Sequence, residues 1–587
     1  MPAATDFAIN SSAIGDSYTP FGPSVAILAD GRALVVWVVT GGEPDTEYTG
    51  FGEAEIRGRW INADGSFAGE DFVVNTTPES FQYRPVATAT ADGRVFVAWE
   101  SGDGADGDGT GLRGIVLDPD ASVPATDFIL NSIRTPIDLP FGPGNQSDVD
   151  VIGLSDGRLA AVWTSYDAGD GDGFTVRLRL FDADGVALGE DMVVNSTGVG
   201  AQYAPKLIEM ADGRLLVSYS SFDYTILGVS PILARVLEAD GTPVGDDYVL
   251  ADGTNIASFR PDMTVLADGR ILATWYETGP ITFTPGENPT VEPGTIRGRL
   301  LDAGGQPLGD SFAINTTDVQ TNYTGAAAIM LPSGGVFVAW YSGDSGDGDW
   351  GCLRGRMLDA DGTPIGSDMV LNSTSFNLNG NPSLAVGPDG RVLVSWSDEG
   401  DMGADAVTRG LWITPMLGDA GNDSMAGTSG DDMMMGLDGA DVMAAGRGED
   451  MQMGGAGQDR ILGGRGEEVL MGEAGNDRLL GGAGRDSLTG GAGADQFVFA
   501  KADLTGQMDV ITDMTALDQI DLSRIDANRH QAGDDAFQFI GSAEFSSAGQ
   551  LRFDGGVLQG DVDGDGVADL MVRVVGMHTL TLDDLTL

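Results

Sequence analysis

Carboxylates carry the chemistry of this chain, and their spacing is regular. Between Gly418 and Val498 an acidic residue returns every nine positions, at Asp423, Asp432, Asp441, Asp450, Asp459, Glu468, Asp477, Asp486 and Asp495. A glycine stands two residues before each acid, from Gly421 to Gly493. An apolar residue stands two after, from Met425 to Phe497, with Gln452 the exception. The nine units open at Gly418, Gly427, Gly436, Ala445, Gly454, Gly463, Gly472, Gly481 and Gly490. Glycines let the backbone turn tightly and present its carbonyls, and the acid adds a hard oxygen. Calcium takes about six to eight such oxygens, so this spacing predicts Ca2+ binding. The eight aspartates of the series are the expected ligands. The three residues around the apolar position read as a short strand whose middle side chain faces a core. Two units per turn make a parallel β-roll, in which loops two units apart stack. Nine loops then allow at most seven ion positions between loops. The centre is expected to be weakest, because Ala445 replaces a turn glycine, Gln452 an apolar residue and Glu468 the shorter acid.

Two further acidic patterns are candidate cation sites. The spacing D-x-x-D-x-D occurs three times: Asp103, Asp106, Asp108; Asp167, Asp170, Asp172; and Asp344, Asp347, Asp349. Glycine-rich loops of this kind can curl three carboxylates onto one ion; a solvated polar loop is the alternative. Near the C-terminus Asp561, Asp563, Asp565 and Asp569 form D-V-D-G-D-G-V-A-D, close to an EF-like calcium loop that lacks the twelfth-position Glu.

The nonapeptide resembles the calcium-binding repeat of RTX (hemolysin-type) proteins. Residues 494–587, with ADQFVFAKADLTGQMDVITDM, DQIDLSRIDA and GDVDGDGVADLMVRVVG, resemble the C-terminal domain of serralysin-type secreted metalloproteases. That resemblance implies a type I secretion signal at the extreme C-terminus and a type I exporter as partner. The zinc-protease motif H-E-x-x-H is absent, so protease activity does not carry over. The N-terminal repeats resemble those of large bacterial RTX-type surface proteins, which implies an extracellular setting.

The elements that must position these loops can be read from a second repeat. The phrases ADGRALVVW (to Trp37), ADGRVFVAW (Trp99), SDGRLAAVW (Trp163), ADGRLLVSY (Tyr219), ADGRILATW (Trp275), PSGGVFVAW (Trp340) and PDGRVLVSW (Trp396) follow short apolar runs. Each reads as strand, Asp-Gly turn, strand. A second hairpin follows in most units, as in IRGRWINADGSFAGEDFVVN. Four strands per unit predict propeller blades. There are seven first hairpins but only six closing phrases after them, ending at Asp368–Asn372. The missing one sits at the N-terminus as ATDFAIN, Asp6–Asn10. The expected fold is all-β: a seven-bladed β-propeller over residues 1–415 closed by the N-terminal strand, an RTX β-roll over 416–498, and a C-terminal secretion domain over 499–587. A linear array of hairpin modules is the alternative for the first part.

Composition bounds the partners. With 31 basic and 89 acidic residues the net charge is −58. Such a chain repels nucleic acid and anionic membrane surfaces. No stretch is long enough to span a membrane, so no membrane insertion is expected. The single cysteine, Cys352, excludes an internal disulfide. The first thirty residues lack a basic and then apolar leader, so export is expected without an N-terminal signal peptide and the destination is extracellular. The recurrent Arg57, Arg113, Arg177, Arg297, Arg354 and Arg409 are either pairing partners of blade carboxylates or a ring of cations for an anionic glycan. The only histidines, His530 and His578, lie in the C-terminal segment. The expected function is calcium-dependent binding of a polysaccharide or cell-surface ligand by the propeller. An extracellular polysaccharide hydrolase or lyase, using carboxylates, Tyr or Arg, is the alternative.

Overall fold

The computed structural model describes residues 6–587 apart from 11–21, 41–53, 78–80, 104–108, 121–124, 133–144, 167–173, 197–199, 223–229, 252–257, 280, 283–289, 292, 318–324, 344–350, 373–377, 399–406, 532 and 578. It divides into two compact units. One comprises Asp6–Met369 and Ser375–Trp412. The other is essentially Ile413–Leu587. Among the described residues the chain is all-β, with single 3-10 turns at Lys501–Asp503 and Leu582–Asp584.

Among the described residues the first unit holds six four-stranded antiparallel blades. The first is Ser24–Ile27, Ala33–Thr40, Ala54–Ile61 and Phe72–Val73, and the second is Gln82–Ala89, Val95–Ser101, Gly111–Leu117 and Phe128–Ile129. The others span 146–193, 201–251, 258–313 and 326–370. The A-D-G-R turn makes the first hairpin of four blades, with S-D-G-R in its place in the third and P-S-G-G in the sixth. Gly31 takes φ +87°, which a side chain resists, and Asp30 accepts from the backbone N–H of Arg32 at 3.0 Å and from its Nε at 2.7 Å. At the end of the second strand a tryptophan is buried. Trp99 Nε1 donates to Gln82 at 2.6 Å and Trp163 Nε1 to Gln146 at 2.8 Å. The core is a series of sandwiches between neighbouring blades. Leu34 and Val36 pack on Val95, Val97 and Trp99, and Phe96 and Leu112 pack on Val151, Leu159 and Trp163.

The blade count corrects the sequence reading: six separate four-stranded blades are present where seven were expected. The last repeat does not form a free-standing blade. Its third strand, Val407–Leu417, is 11 residues long and continues from the first unit into the parallel strands of the second, so 378–398 belongs to a 13-stranded sheet. The N-terminal strand Phe7–Ala8 pairs antiparallel with this long strand, Phe7 opposite Gly410 and Ala8 opposite Arg409. The expected blade pairing of arginines is observed. Arg57 reaches Asp71 at 3.0 Å, Arg113 reaches Asp127 at 2.8 Å and Arg409 reaches Asp6 at 2.8 Å. A second arginine per blade donates to a carbonyl of the strand set before it: Arg179 to Leu130 at 2.8 Å, Arg299 to Leu250 at 2.7 Å and Arg59 to Ile9 at 2.6 Å.

In the second unit the nonapeptides form a parallel β-solenoid of about five turns. Strands 18 residues apart pair in register, as Met433 with Met451 and Met451 with Val469 on one side, and Val442 with Arg460 and Arg460 with Arg478 on the other. The eighth-position residues Met434, Met443, Ile461, Leu470, Leu479, Leu488 and Phe497 fill the space between the sheets. Both sheets continue past the repeats. Met508–Ile511 pairs with Leu570–Val574, and Gln519–Arg524 with Leu585–Thr586. One apolar core therefore runs from Met434 to Leu585.

Candidate metal centre

Each turn of the solenoid aims an acid into its loop for a backbone reason. The sixth residue ends the turn and begins the strand, so its side chain leaves the core and folds back under the loop. One oxygen is tied up there: the Asp423 N–H donates to Asp441 Oδ1 at 2.8 Å, Asp432 to Asp450 at 3.0 Å, Asp441 to Asp459 at 2.8 Å and Asp459 to Asp477 at 2.9 Å. The other oxygen is free. Oδ2 of Asp441, Asp450, Asp459, Asp477, Asp486 and Asp495 is buried without a hydrogen-bond partner. A buried, unpaired carboxylate oxygen is costly, so a ladder of six asks for cations. The space beside it has the right donors. A Cβ placed on Gly472 would overlap Asp477 Oδ2 and sit 2.6 Å from the Gly490 carbonyl, so carboxylate and carbonyl converge on the place glycine leaves open. This oxygen set fits Ca2+.

Burial raises the affinity of these groups for protons. It pushes Asp450 up to about 7, Asp477 to about 6 and Asp509 to about 8, and moves Asp432, Asp441, Asp459 and Asp495 in the same direction. Without a cation the ladder resists ionisation.

The irregular positions behave differently from one another. Ala445 is buried, its carbonyl lies where a glycine carbonyl would beside Gly427, and it carries a Cβ at the position that glycine leaves open in the other units. Gln452 is fully buried, with Oε1 unpartnered and Nε2 reaching only Met434 Sδ at 3.8 Å. Glu468 has both oxygens buried and unpartnered, and burial with the nearby Asp486 drives its proton affinity up.

Three acids that sequence reasoning missed extend the site. The Asp486 N–H donates to Asp509 at 3.0 Å and the Asp495 N–H to Asp518 at 2.8 Å, so the ladder adds two rungs beyond the repeats. Asp503 joins Asp486 and Asp509: all three are buried and offer oxygens within 4.8 Å of one another. The step here is 23 residues instead of 18, which hides the continuation from a nine-residue period.

In the C-terminal loop Asp561, Asp563 and Asp565 offer oxygens within 4.8 Å of one another. Asp561 already accepts from Gly564 at 2.6 Å and Gly566 at 3.0 Å. Asp569 does not join them. It accepts from Val562 N–H at 2.9 Å and pairs with Arg529 at 3.1 Å. Of the three D-x-x-D-x-D loops only Asp103 is described, and it accepts from Arg113 Nε at 2.6 Å. Asp106, Asp108, Asp167, Asp170, Asp172, Asp344, Asp347 and Asp349 lie outside the described residues.

A family model for the RTX calcium-binding nonapeptide repeat, in four copies, matches residues 417–451, 453–479 and 462–497. Residues 417–497 are an RTX calcium-binding repeat array. That match supports Ca2+ as the metal, in agreement with the oxygens that the solenoid leaves open. No curated protein matches the chain. Among solved structures it is similar to a protein of unknown function from Dyadobacter fermentans (TM-score 0.42, 13% identity, 70% of this chain and 97% of that one). It is also similar to an ulvan lyase (0.42, 10%, 69% and 94%) and to an α-L-arabinofuranosidase from Fusarium graminearum (0.39, 11%, 57% and 93%). Each score lies below 0.5. Among the described residues no helix is long and apolar enough to cross a membrane.

Proposed function

We propose that this is a secreted, calcium-dependent binding protein whose propeller holds an extracellular polysaccharide or cell-surface ligand. The observation that carries the calcium half is the run of six buried, unpartnered Oδ2 atoms from Asp441 to Asp495. The ligands are the eight repeat aspartates, joined by Asp561, Asp563 and Asp565. In calcium-poor surroundings the like-charged, desolvated ladder disfavours the folded array; calcium reverses that, because binding to the folded state alone is folding free energy. A chain that stays loose inside a cell and folds outside suits export by a type I exporter. The serralysin-like phrases of 494–587 support such a route, with 1–415, 416–498 and 499–587 as binding, calcium and secretion parts.

We read the N-terminal strand and the last repeat as the closure of the propeller. The backbone N–H of Val25 donates to Ser383 Oγ at 3.1 Å, and Ile9, Val25 and Trp37 share a core with Ala385 and Leu393. Hydrogen exchange with and without chelator tests the calcium half: unchanged protection of 418–500 in EDTA would sink it. A glycan panel read by binding and by product release tests the propeller half. Release of new reducing ends or unsaturated uronates would replace binding with catalysis.

A further inference from the structure

The first strands of the blades contact one another in ring order and so line the central channel. Four of them carry a bulge at the same place, between Tyr83 and Val86, Ser147 and Asp150, Tyr203 and Lys206, and Phe259 and Asp262. At each bulge one residue is forced into the left-handed region: Arg84 (φ +47°), Asp148 (+51°), Ala204 (+51°) and Arg260 (+50°). Among the described residues these are the only non-glycine residues of the propeller with positive φ. Such strain costs about 1 kcal/mol or more apiece and persists where the surroundings demand a side chain at that spot. Equivalent positions put all four at one level of the channel.

The charges at that level do not balance pairwise. Arg84 Nη1 pairs with Asp148 Oδ1 at 2.7 Å and lies 3.6 Å from Glu100 Oε1, and its guanidinium sits 5.4 Å from the Tyr83 ring centre. Glu100 is buried and also accepts from the Asp148 N–H at 2.8 Å. Burial pushes it up to about 7 against the pull of Arg84, which halves its charge near neutrality. One layer further in, Lys206 is bound to Asp150 at 2.9 Å. Arg260 is exposed in the channel and has no carboxylate, carbonyl or hydroxyl partner among the described residues. The protein surrounding the channel and the neighbouring Arg84 disfavour its charge, while Asp148 and Tyr83 favour it. Asp148 is bound directly to Arg84, which leaves the Arg260 guanidinium beside that pair with its own donors open to an anion. In a chain of net charge −58 an unpaired arginine is not a product of composition.

Resting on the reading that the propeller is the binding part, we infer that its channel mouth takes an anionic sugar residue, whose carboxylate or sulfate is held by Arg260 together with Arg84 while Tyr83 packs against the ring. A guanidinium fork matches the planar oxygen pair of a carboxylate and one face of a sulfate, and charge-assisted bonds of this kind are the strong ones. The acidity of the rest of the surface does not forbid this. Over about 8 Å at physiological salt distant charges are screened, while partners in direct contact are not.

The test uses the calcium-loaded full chain and short probes: trigalacturonate for carboxylate, a sulfated trisaccharide for sulfate, and maltotriose as neutral control, titrated calorimetrically. One or both anionic probes bind and maltotriose does not; which anion binds names the source. Arg260→Gln, whose side chain supports nothing in the fold, binds about tenfold or more weakly with unchanged melting. Arg485→Gln, in the RTX array, binds as the parent does. Binding of the parent also weakens as salt rises, which keeps the inference testable if the variant does not fold. Equal binding of maltotriose and trigalacturonate, an Arg260→Gln protein as good as the parent, or salt-independent binding overturns the anion site and leaves a glycan-binding propeller standing. No binding of any sugar in a broad panel overturns both.

Discussion

Removing calcium should make the stability of the RTX array depend on pH in a direction opposite to that of most carboxylates. Burial pushes Asp450, Asp477 and Asp509 up to about 7, 6 and 8 from an ordinary 3.8. Because the folded values are raised, the apo array has its full stability below about pH 4 and loses it as pH climbs through the interval from 6 to 8. For Asp450 the difference spans about three pH units, which at about 1.4 kcal/mol each is a ceiling near 4 kcal/mol. Loops on the rim relax and admit water, so about 1–2 kcal/mol per group is the working figure. Three such groups remove about 3–6 kcal/mol near pH 8, comparable to the whole stability of a typical domain. Calcium binds the ionised form and should reverse the trend, stabilising at high pH and leaving as protons compete below about pH 6. The assay is hydrogen exchange of peptides from 418–500, corrected for the intrinsic rate, at about pH 5 and about pH 8 with EDTA or calcium. Protection in EDTA should be higher at the acid end, and calcium should restore it at the alkaline end. Equal protection at both pH values in EDTA, or no gain from calcium at pH 8, would refute the account of the ladder.

Other outcomes follow from single contacts. Glu468→Asp should add a rung that Glu468 leaves out, since both its oxygens are unpartnered; the calcium midpoint should fall and melting of the loaded protein should rise by about 1 kcal/mol of stability. Gly475→Ala should abolish calcium-induced protection of the array, because φ +152° is kept there and an added Cβ would overlap the Gly457 carbonyl; normal calcium-induced protection in this variant would contradict the close stacking of turns. Asp6→Asn removes one of the two buried carboxylates that pair with Arg409, the other being Asp398 at 2.6 Å, and should lower propeller stability by about 1–3 kcal/mol in thermal unfolding, without moving the calcium midpoint. Trp99→Phe leaves the buried Gln82 amide oxygen without its donor at 2.6 Å and should cost about 1–3 kcal/mol, read by the same melts.

The calcium array was legible because its rule is local. Turn glycine, acid and core residue repeat within nine positions, so one period specifies loop, ligand and inward side chain together. Asp503, Asp509 and Asp518 follow no such period. They reach the ladder only because the strands Met508–Ile511 and Gln519–Arg524 continue the two sheets, and the chain between is five residues longer than a turn. Asp569 shows the converse. The spacing of D-V-D-G-D-G-V-A-D offers it to the loop, and Arg529, forty residues away in sequence, takes it.

By itself the sequence determined what repeats: hairpins turned by Asp-Gly, buried tryptophans and a nonapeptide ladder, each written within about twenty residues. The fate of the last repeat was decided in three dimensions, where one 11-residue strand runs on into the solenoid and leaves six free-standing blades. The channel mouth was also decided there. Tyr83, Arg84, Asp148 and Arg260 are far apart along the chain and share no motif. Only bulges at matching heights of neighbouring strands turn them toward one point, and whether a charge finds a partner is a property of that point rather than of any residue's neighbours in sequence.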